Sequence, residues 1–164
     1  MNSIDKFNKL SKPEFISIFG NVFEKTEWIA QKSYDSKPYK NFEELFSKMM
    51  EVFENTKKER HFEILNAHPD LAIEKKLTED SKKEQKNASL NQCNDVEFIE
   101  FKKLNEEYKK KFGFPFIVAV KGKNKEEILN SFRQRITNNI NLEFEEAKKQ
   151  VKKIASFRLG EIIK

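Results

Sequence analysis

Four glycines and four prolines in 164 residues are too few to turn the chain at every strand end of a sandwich or barrel. Helix-start signals recur instead. A small polar residue followed three positions later by Glu occurs at Ser11/Glu14, Asn21/Glu24, Asn41/Glu44, Thr56/Glu59, Ser81/Glu84, Asn94/Glu97 and Asn124/Glu127. In such a pair each side chain can satisfy a backbone N–H that the first helical turn leaves open. Apolar residues at helical spacing accompany each pair. They predict about eight or nine helices, roughly at 12–19, 22–34, 42–55, 57–66, 69–76, 82–91, 95–111, 125–138 and 141–163. Gly20 and Gly113 stand where C-terminal caps belong. In the seventh helix Phe101, Leu104 and Tyr108 share a face. In the last, Phe144, Ala147, Val151, Ile154 and Ile162 mark one face and the lysines lie outside it. The exception is the apolar run Phe114–Val120, broken by Pro115, whose period fits a buried extended segment or a buried helix turn. The expected fold is all-α, a single domain over residues 1–164 with one short extended apolar segment.

Charged residues make up 36% of the chain, which raises the question of disorder. Phe, Leu, Ile and Val contribute 46 of 164 residues, well above the roughly 20% below which a charged chain fails to build a core. The net charge of +5 is small beside 32 basic and 27 acidic residues. The basic runs Lys109-Lys110-Lys111 and Lys121/Lys123/Lys125 have acidic neighbours, so they read as solvated helix surface rather than a nucleic-acid footprint. No stretch approaches the length of a transmembrane span, and Met1–Lys6 lacks the basic and apolar regions of a signal peptide. Cys93 is alone, which excludes an internal disulfide and a cysteine-based metal cluster. The expectation is an intracellular protein with no membrane and no nucleic-acid partner.

The chain holds two histidines. His61 lies beside Phe62 on a predicted helix and reads as a surface or half-buried residue. His68 precedes Pro69. A residue before proline is pushed out of the helical region, whereas proline suits a first helical position. His68 is therefore expected at a junction between two helices, as a packed or capping residue or as an imidazole facing a cleft. Ser81-Lys82-Lys83-Glu84-Gln85 has a similar double reading. It is a capping box, and it also gathers a hydroxyl, a carboxylate, an amide and open backbone N–H groups at one helix start. No phosphate loop, dinucleotide fingerprint, zinc spacing or nucleophile elbow occurs.

Three blocks carry a resemblance: Ala67-His68-Pro69-Asp70-Leu71-Ala72, then Ser81-x-x-Glu84-Gln85, then Leu104-Asn105-x-x-Tyr108-x-x-Lys111-Phe112-Gly113-Phe114-Pro115-Phe116. Together they resemble the OHCU decarboxylase family, whose substrate is 2-oxo-4-hydroxy-4-carboxy-5-ureidoimidazoline, a late intermediate of urate breakdown. The similarity extends upstream through Phe19–Ala30 and Lys37-Pro38-Tyr39, and downstream through Arg133–Ile136 and Ile154–Leu159. It covers nearly the whole chain in order.

The resemblance implies an all-helical, commonly homodimeric enzyme that converts the substrate to (S)-allantoin and CO2 without metal or organic cofactor. It places His68 as catalytic proton donor and Glu84 beside it. Pro69, Ser81, Lys82, Lys83, Glu84 and Gln85 match substrate-contacting positions, as do Phe116, Ile117, Val118, Ala119 and Val120; several act through backbone groups. Arg158 matches an arginine that reaches the pocket from the last helix. A conjugated imine in the substrate can take the electron pair released by decarboxylation, the task for which a cofactor is usually recruited. The resemblance also implies a functional link to hydroxyisourate hydrolase. Two positions depart from the pattern: Ile73 and Ser89 stand where many members have Gly, and the connection between His68 and Ser81 is shorter by about one helical turn. A basic helical binding module and a decarboxylase of a related ureido acid are the alternatives. The C-terminus lacks a Ser-Lys-Leu peroxisomal address, so cytoplasm is the expected location.

Overall fold

The computed structural model describes residues 3–72 and 77–164. Its α-helices are α1 (Ile4–Asn8), α2 (Lys12–Phe19), α3 (Glu27–Asp35), α4 (Phe42–Glu54), α5 (Lys58–Asn66), α6 (Glu79–Asn87), α7 (Asp95–Phe112), α8 (Lys125–Arg135) and α9 (Ile140–Ile162). A 3-10 turn spans Leu90–Gln92, and no strand occurs among the described residues. The all-α expectation holds.

Capping chemistry explains where these helices begin. Ser11, Asn94 and Asn124 form reciprocal boxes with Glu14, Glu97 and Glu127. Asn41 accepts the Glu44 N–H at 2.9 Å, while Glu44 reaches back to the Lys40 N–H at 2.9 Å. Three predicted starts differ. Asn21 accepts from the Lys25 N–H and donates to Glu24, closing a turn ahead of α3. Lys57 rather than Thr56 is the N-cap of α5. Thr78 caps α6 by accepting the Ser81 N–H at 3.2 Å, and Glu79 and Asp80 in the first turn complement the helix dipole. Ser81 thus lies within the helix, buried, rather than at its cap.

The helix expected at 69–76 is corrected in part. Pro69–Ala72 is not helical, and residues 73–76, Ile73 among them, lie outside the described residues. Helix α1 was not anticipated; its Phe7 packs edge-on against Phe19 and Phe42, each at 5.5 Å. Gly113 takes φ +81° and donates to the Lys109 carbonyl, a left-handed cap. Gly20 has ordinary right-handed geometry, but a Cβ there would lie 2.4 Å from the Ile16 carbonyl oxygen, so it is small because the backbone is close. Phe114–Val120 is buried and non-helical, which resolves the choice left open by its sequence.

Two compact units are defined by backbone contacts: Met1–Ala67 with Lys152–Lys164, and His68–Val151. In the first, α3 packs on α2 and α4. Leu45, Met49 and Phe53 form a fully buried stripe on α4, Phe23 stacks on Phe53 at 5.2 Å, and Ala155 and Leu159 of α9 are fully buried. In the second, Tyr108 is ringed by Phe112, Phe114, Phe116 and Phe132 at 4.5 to 5.9 Å. Phe116 and Phe132 lie face to face, 3.9 Å apart and 9° from parallel. The buried stripe of α9 runs Phe144, Ala147, Val151, Ala155, Leu159, whereas Ile154 and Ile162 are half-buried. A repeat of four residues places Ala155 and Leu159 on the stripe ahead of the bulkier isoleucines.

Candidate active site

His68 follows the end of α5 and is 8% exposed. The next residues are held from two helices of the His68–Val151 unit. The Gln85 amide of α6 accepts the Ala72 N–H at 3.1 Å and donates to the Asp70 carbonyl at 3.2 Å. Asn105 of α7 donates to the Leu71 carbonyl at 3.0 Å, and Lys109 pairs with the buried Asp70 carboxylate at 2.7 Å. Side chains therefore take over the backbone partners that a helix over 69–72 would have supplied. Ala72, at φ +58°, is in the left-handed region.

Pro69 is half-buried. On α6, Ser81 and Gln85 are buried, Glu84 is half-buried, and Lys82 and Lys83 are exposed. Gln85 ties α6 to the His68 loop with Glu84 as its neighbour. A glutamine amide has two N–H donors and two carbonyl lone pairs, so the loop uses one of each. Lysine side chains in solvent leave only their backbone and aliphatic stems for any part in the site.

Phe116, Ile117, Val118, Ala119 and Val120 are all buried, and side chains anchor their backbone at alternate residues. The Ile117 carbonyl accepts from Arg135 Nη1 at 2.6 Å, and the Ala119 N–H donates to Gln150 Oε1 at 3.0 Å. The Val120 carbonyl accepts from the Lys123 N–H. Val118, between the two anchored residues, has its N–H and C=O engaged by none of the described residues. Adjacent to this segment, Tyr108 donates to Glu143 at 2.5 Å. Burial, and then that hydrogen bond to a carboxylate, push the Tyr108 hydroxyl well above the ordinary tyrosine range.

Arg158 belongs to the other unit. It is buried, and its Nη1 donates to the Asn21 carbonyl at 2.8 Å and to the fully buried Glu24 carboxylate at 3.2 Å. His61, in the same unit, is more buried than expected; its Nε2 is 2.7 Å from the Phe53 carbonyl and its ring stands edge-on to Phe53. An open cavity of about 1080 Å³ in that unit is lined by Lys12, Ile16, Asn21, Lys25 and Trp28 among others, and by none of the predicted site residues. Among the described residues, no three His, Cys, Asp or Glu side chains cluster as metal ligands, and no helix is long and apolar enough to cross a membrane.

Asn105, Lys109, Arg135, Glu143 and Gln150 were missed as site-supporting residues. Asn105 carried a signal: a polar residue on the apolar face of α7 defined by Phe101, Leu104, Tyr108 and Phe112. Lys109 was masked by its basic neighbours, although it pairs with Asp70 rather than facing solvent alone.

In the His68–Val151 unit an all-helical scaffold carries the candidate groups on a histidine-bearing loop, an adjoining helix and an irregular buried segment. A family model for OHCU decarboxylase matches residues 8–160. The chain is 40% identical over its full length to the uric acid degradation bifunctional protein of Bacillus sp. strain TB-90, of which it spans 33%. It is 33% identical to the 2-oxo-4-hydroxy-4-carboxy-5-ureidoimidazoline decarboxylase of Haloferax volcanii, with 97% of this chain and 95% of that protein covered. A crystal structure of (S)-allantoin synthase superposes with a TM-score of 0.76 at 27% identity, covering 99% of this chain and 54% of that one. The chain belongs to the OHCU decarboxylase family, and so to the carboxy-lyases.

Proposed function

We infer that this chain decarboxylates 2-oxo-4-hydroxy-4-carboxy-5-ureidoimidazoline to (S)-allantoin and CO2 in urate degradation, acting as one OHCU decarboxylase-like domain. The end-to-end match to a decarboxylase of the same length carries this reading. The side-chain clamp on the His68 loop supports it, because a proton donor must be held in place to act on one face of its substrate.

In this reaction the carboxylated carbon releases CO2 and its electron pair passes into the adjoining imine. The imine nitrogen takes up a proton. The resulting enol gives up its hydroxyl proton and gains one on a single face of the ureido-bearing carbon, so that the hydroxyl becomes a carbonyl. His68 is the acid/base for these transfers. Glu84 sets its protonation or holds the ureido group. Pro69, Ser81 and the backbone of Lys82 and Lys83 line the substrate. Gln85 uses its remaining amide donor and acceptor on the ring, and the Phe116–Val120 backbone, with Val118 at its centre, meets the ring amides. Arg158 holds an anionic substrate group through its planar fork. No cofactor enters, since the imine is the electron sink.

The chain is a homodimer in this reading, as the family resemblance implies, and its location is the cytoplasm. Its functional partner is hydroxyisourate hydrolase. The Bacillus relative is named as a bifunctional protein of uric acid degradation, which supports a place for this chain in that degradation.

The test generates the unstable substrate from urate with urate oxidase and hydroxyisourate hydrolase and then adds this protein. Faster loss of the intermediate's absorbance, with optically active allantoin, is expected. Unchanged decay and racemic product would refute the assignment. Sedimentation of the same preparation reads the oligomeric state.

A further inference from the structure

Glu143, at the start of α9, is fully buried and gathers several donors. Tyr108 Oη donates to its Oε1 at 2.5 Å, Arg135 Nε at 2.7 Å, and Asn138 Nδ2 donates to Oε2 at 3.0 Å. Arg135 Nη2 lies 2.6 Å from the same Oε1. Nη1 of the guanidinium donates to the Ile117 carbonyl, and its Cζ lies over the Phe116 ring, 4.4 Å from the centroid. One arginine thus grips two consecutive residues of the irregular segment, by backbone at 117 and by ring at 116. Gln150, itself held by Glu146 at 2.9 Å, grips a third at Ala119.

A buried ion pair is weak evidence of a stabilising role, because apolar side chains of the same volume often serve as well. A methylene chain or an aromatic ring could fill this volume. Neither could hold a carbonyl oxygen at a set place, nor fix the plane of the group that holds it. The arrangement has the form of a preset support, in which side-chain rotamers are locked by their own partners before any ligand arrives.

We propose that Arg135, oriented by Glu143 and Tyr108, is a positioning residue for the decarboxylation: it fixes the Phe116–Val120 backbone so that Val118 N–H and C=O meet the cyclic amide of the substrate. This rests on the functional reading above, in which that segment binds the ring. Arg135 touches no reacting atom. Its effect is on ring binding, shared by ground and transition states, and it appears in KM rather than in kcat.

The variants Tyr108→Phe, Arg135→Lys and Glu143→Gln test this with freshly generated substrate, alongside calorimetric titration with (S)-allantoin. The expected result is a rise of about tenfold in KM and in the product's Kd, with kcat within about threefold of wild type. Ile29→Val, a core change in the other unit, is the control for lowered thermal stability and keeps the wild-type KM. Should Glu143→Gln or Arg135→Lys not fold, Tyr108→Phe decides, since it keeps the ring and removes one donor. Wild-type turnover with unchanged KM and Kd in the folded variants, whatever their melting temperatures, overturns this inference alone. A wild type that leaves substrate decay unchanged overturns the functional reading, and this inference with it.

Discussion

Each of the two compact units buries an arginine against a fully buried glutamate, and the two pairs are built differently. In the His68–Val151 unit, Arg135 approaches Glu143 side-on through Nε and Nη2 at 2.7 and 2.6 Å, with Tyr108 and Asn138 on the same carboxylate. In the other unit, Arg158 meets Glu24 through Nη1 at 3.2 Å, and the same nitrogen donates to the Asn21 carbonyl. The Arg135 pair is hydrogen-bonded through Nε, with Nη2 as a close ion-pair contact only, and Nη1 goes to the Ile117 backbone. The Arg158 contact to its glutamate is longer, and its Nη1 is shared with a backbone carbonyl. Two pairs of the same chemical type thus differ in their contacts, and one of the arginines, Arg135, also reaches the Ile117 backbone.

The largest effect expected is on His68. His68→Asn should lower kcat by about 10²- to 10⁴-fold, the range typical of a general acid or base, with little change in melting temperature. A loss of only a few-fold removes His68 from the chemistry. Glu143→Ala should destabilise the protein by about 3–5 kcal/mol in urea unfolding, because Arg135 is left buried without its carboxylate. Glu24→Ala should cost a similar amount, since Arg158 is likewise left buried without its carboxylate, and a negligible cost would show that the pair does not hold its unit together. Arg158→Lys keeps the charge but loses the fork, so KM should rise about tenfold while stability changes little. A purely structural arginine would show the opposite pattern. Ser89, at φ +61° in the left-handed region, should gain about 0.5–1 kcal/mol on Ser89→Gly, read from the urea midpoint.

Alkaline titration sharpens the same comparison. Burial pushes the Tyr39 hydroxyl, in the first unit, up to about 12. Above pH 10 the unfolded chain loses this proton while the folded chain keeps it. The unfolded state then binds fewer protons, so stability falls as pH rises from 10 to about 12. Tyr39→Phe should flatten that part of the curve, followed by melting temperature and tyrosinate absorbance. A slope unaltered by the substitution would assign the loss to other groups, such as Tyr108, whose hydroxyl is also raised by burial.

Local chemistry made much of the fold legible. Ser11, Asn94 and Asn124 announced their helices because a capping box involves only neighbours in sequence. The same pattern misled at Ser81, where Thr78 three residues earlier offered an equivalent hydroxyl ahead of two acids. Asn21 and Glu24 satisfied one another in a turn. The site was legible only in its residues. His68, Glu84, Gln85 and Arg158 were recognised through a resemblance, whereas the clamp of Gln85 on Asp70 and Ala72 spans 13 to 15 positions and has no local signature. Glu143 was hidden because a buried acid at a helix start looks like an ordinary solvated first-turn carboxylate.

By itself the sequence determined an all-helical, Gly-poor chain with a capped start to most helices and a non-periodic run at Phe114–Val120. It also determined family membership, through motifs spread over nearly the whole length. Tertiary structure decided that Pro69–Ala72 is held by side chains rather than coiled, that Gly20 is small for space, and that Arg135 frames a backbone segment. The reason is physical: helix starts depend on groups three or four residues apart, but a buried carbonyl or carboxylate is satisfied by whichever donor the fold brings within about 3 Å.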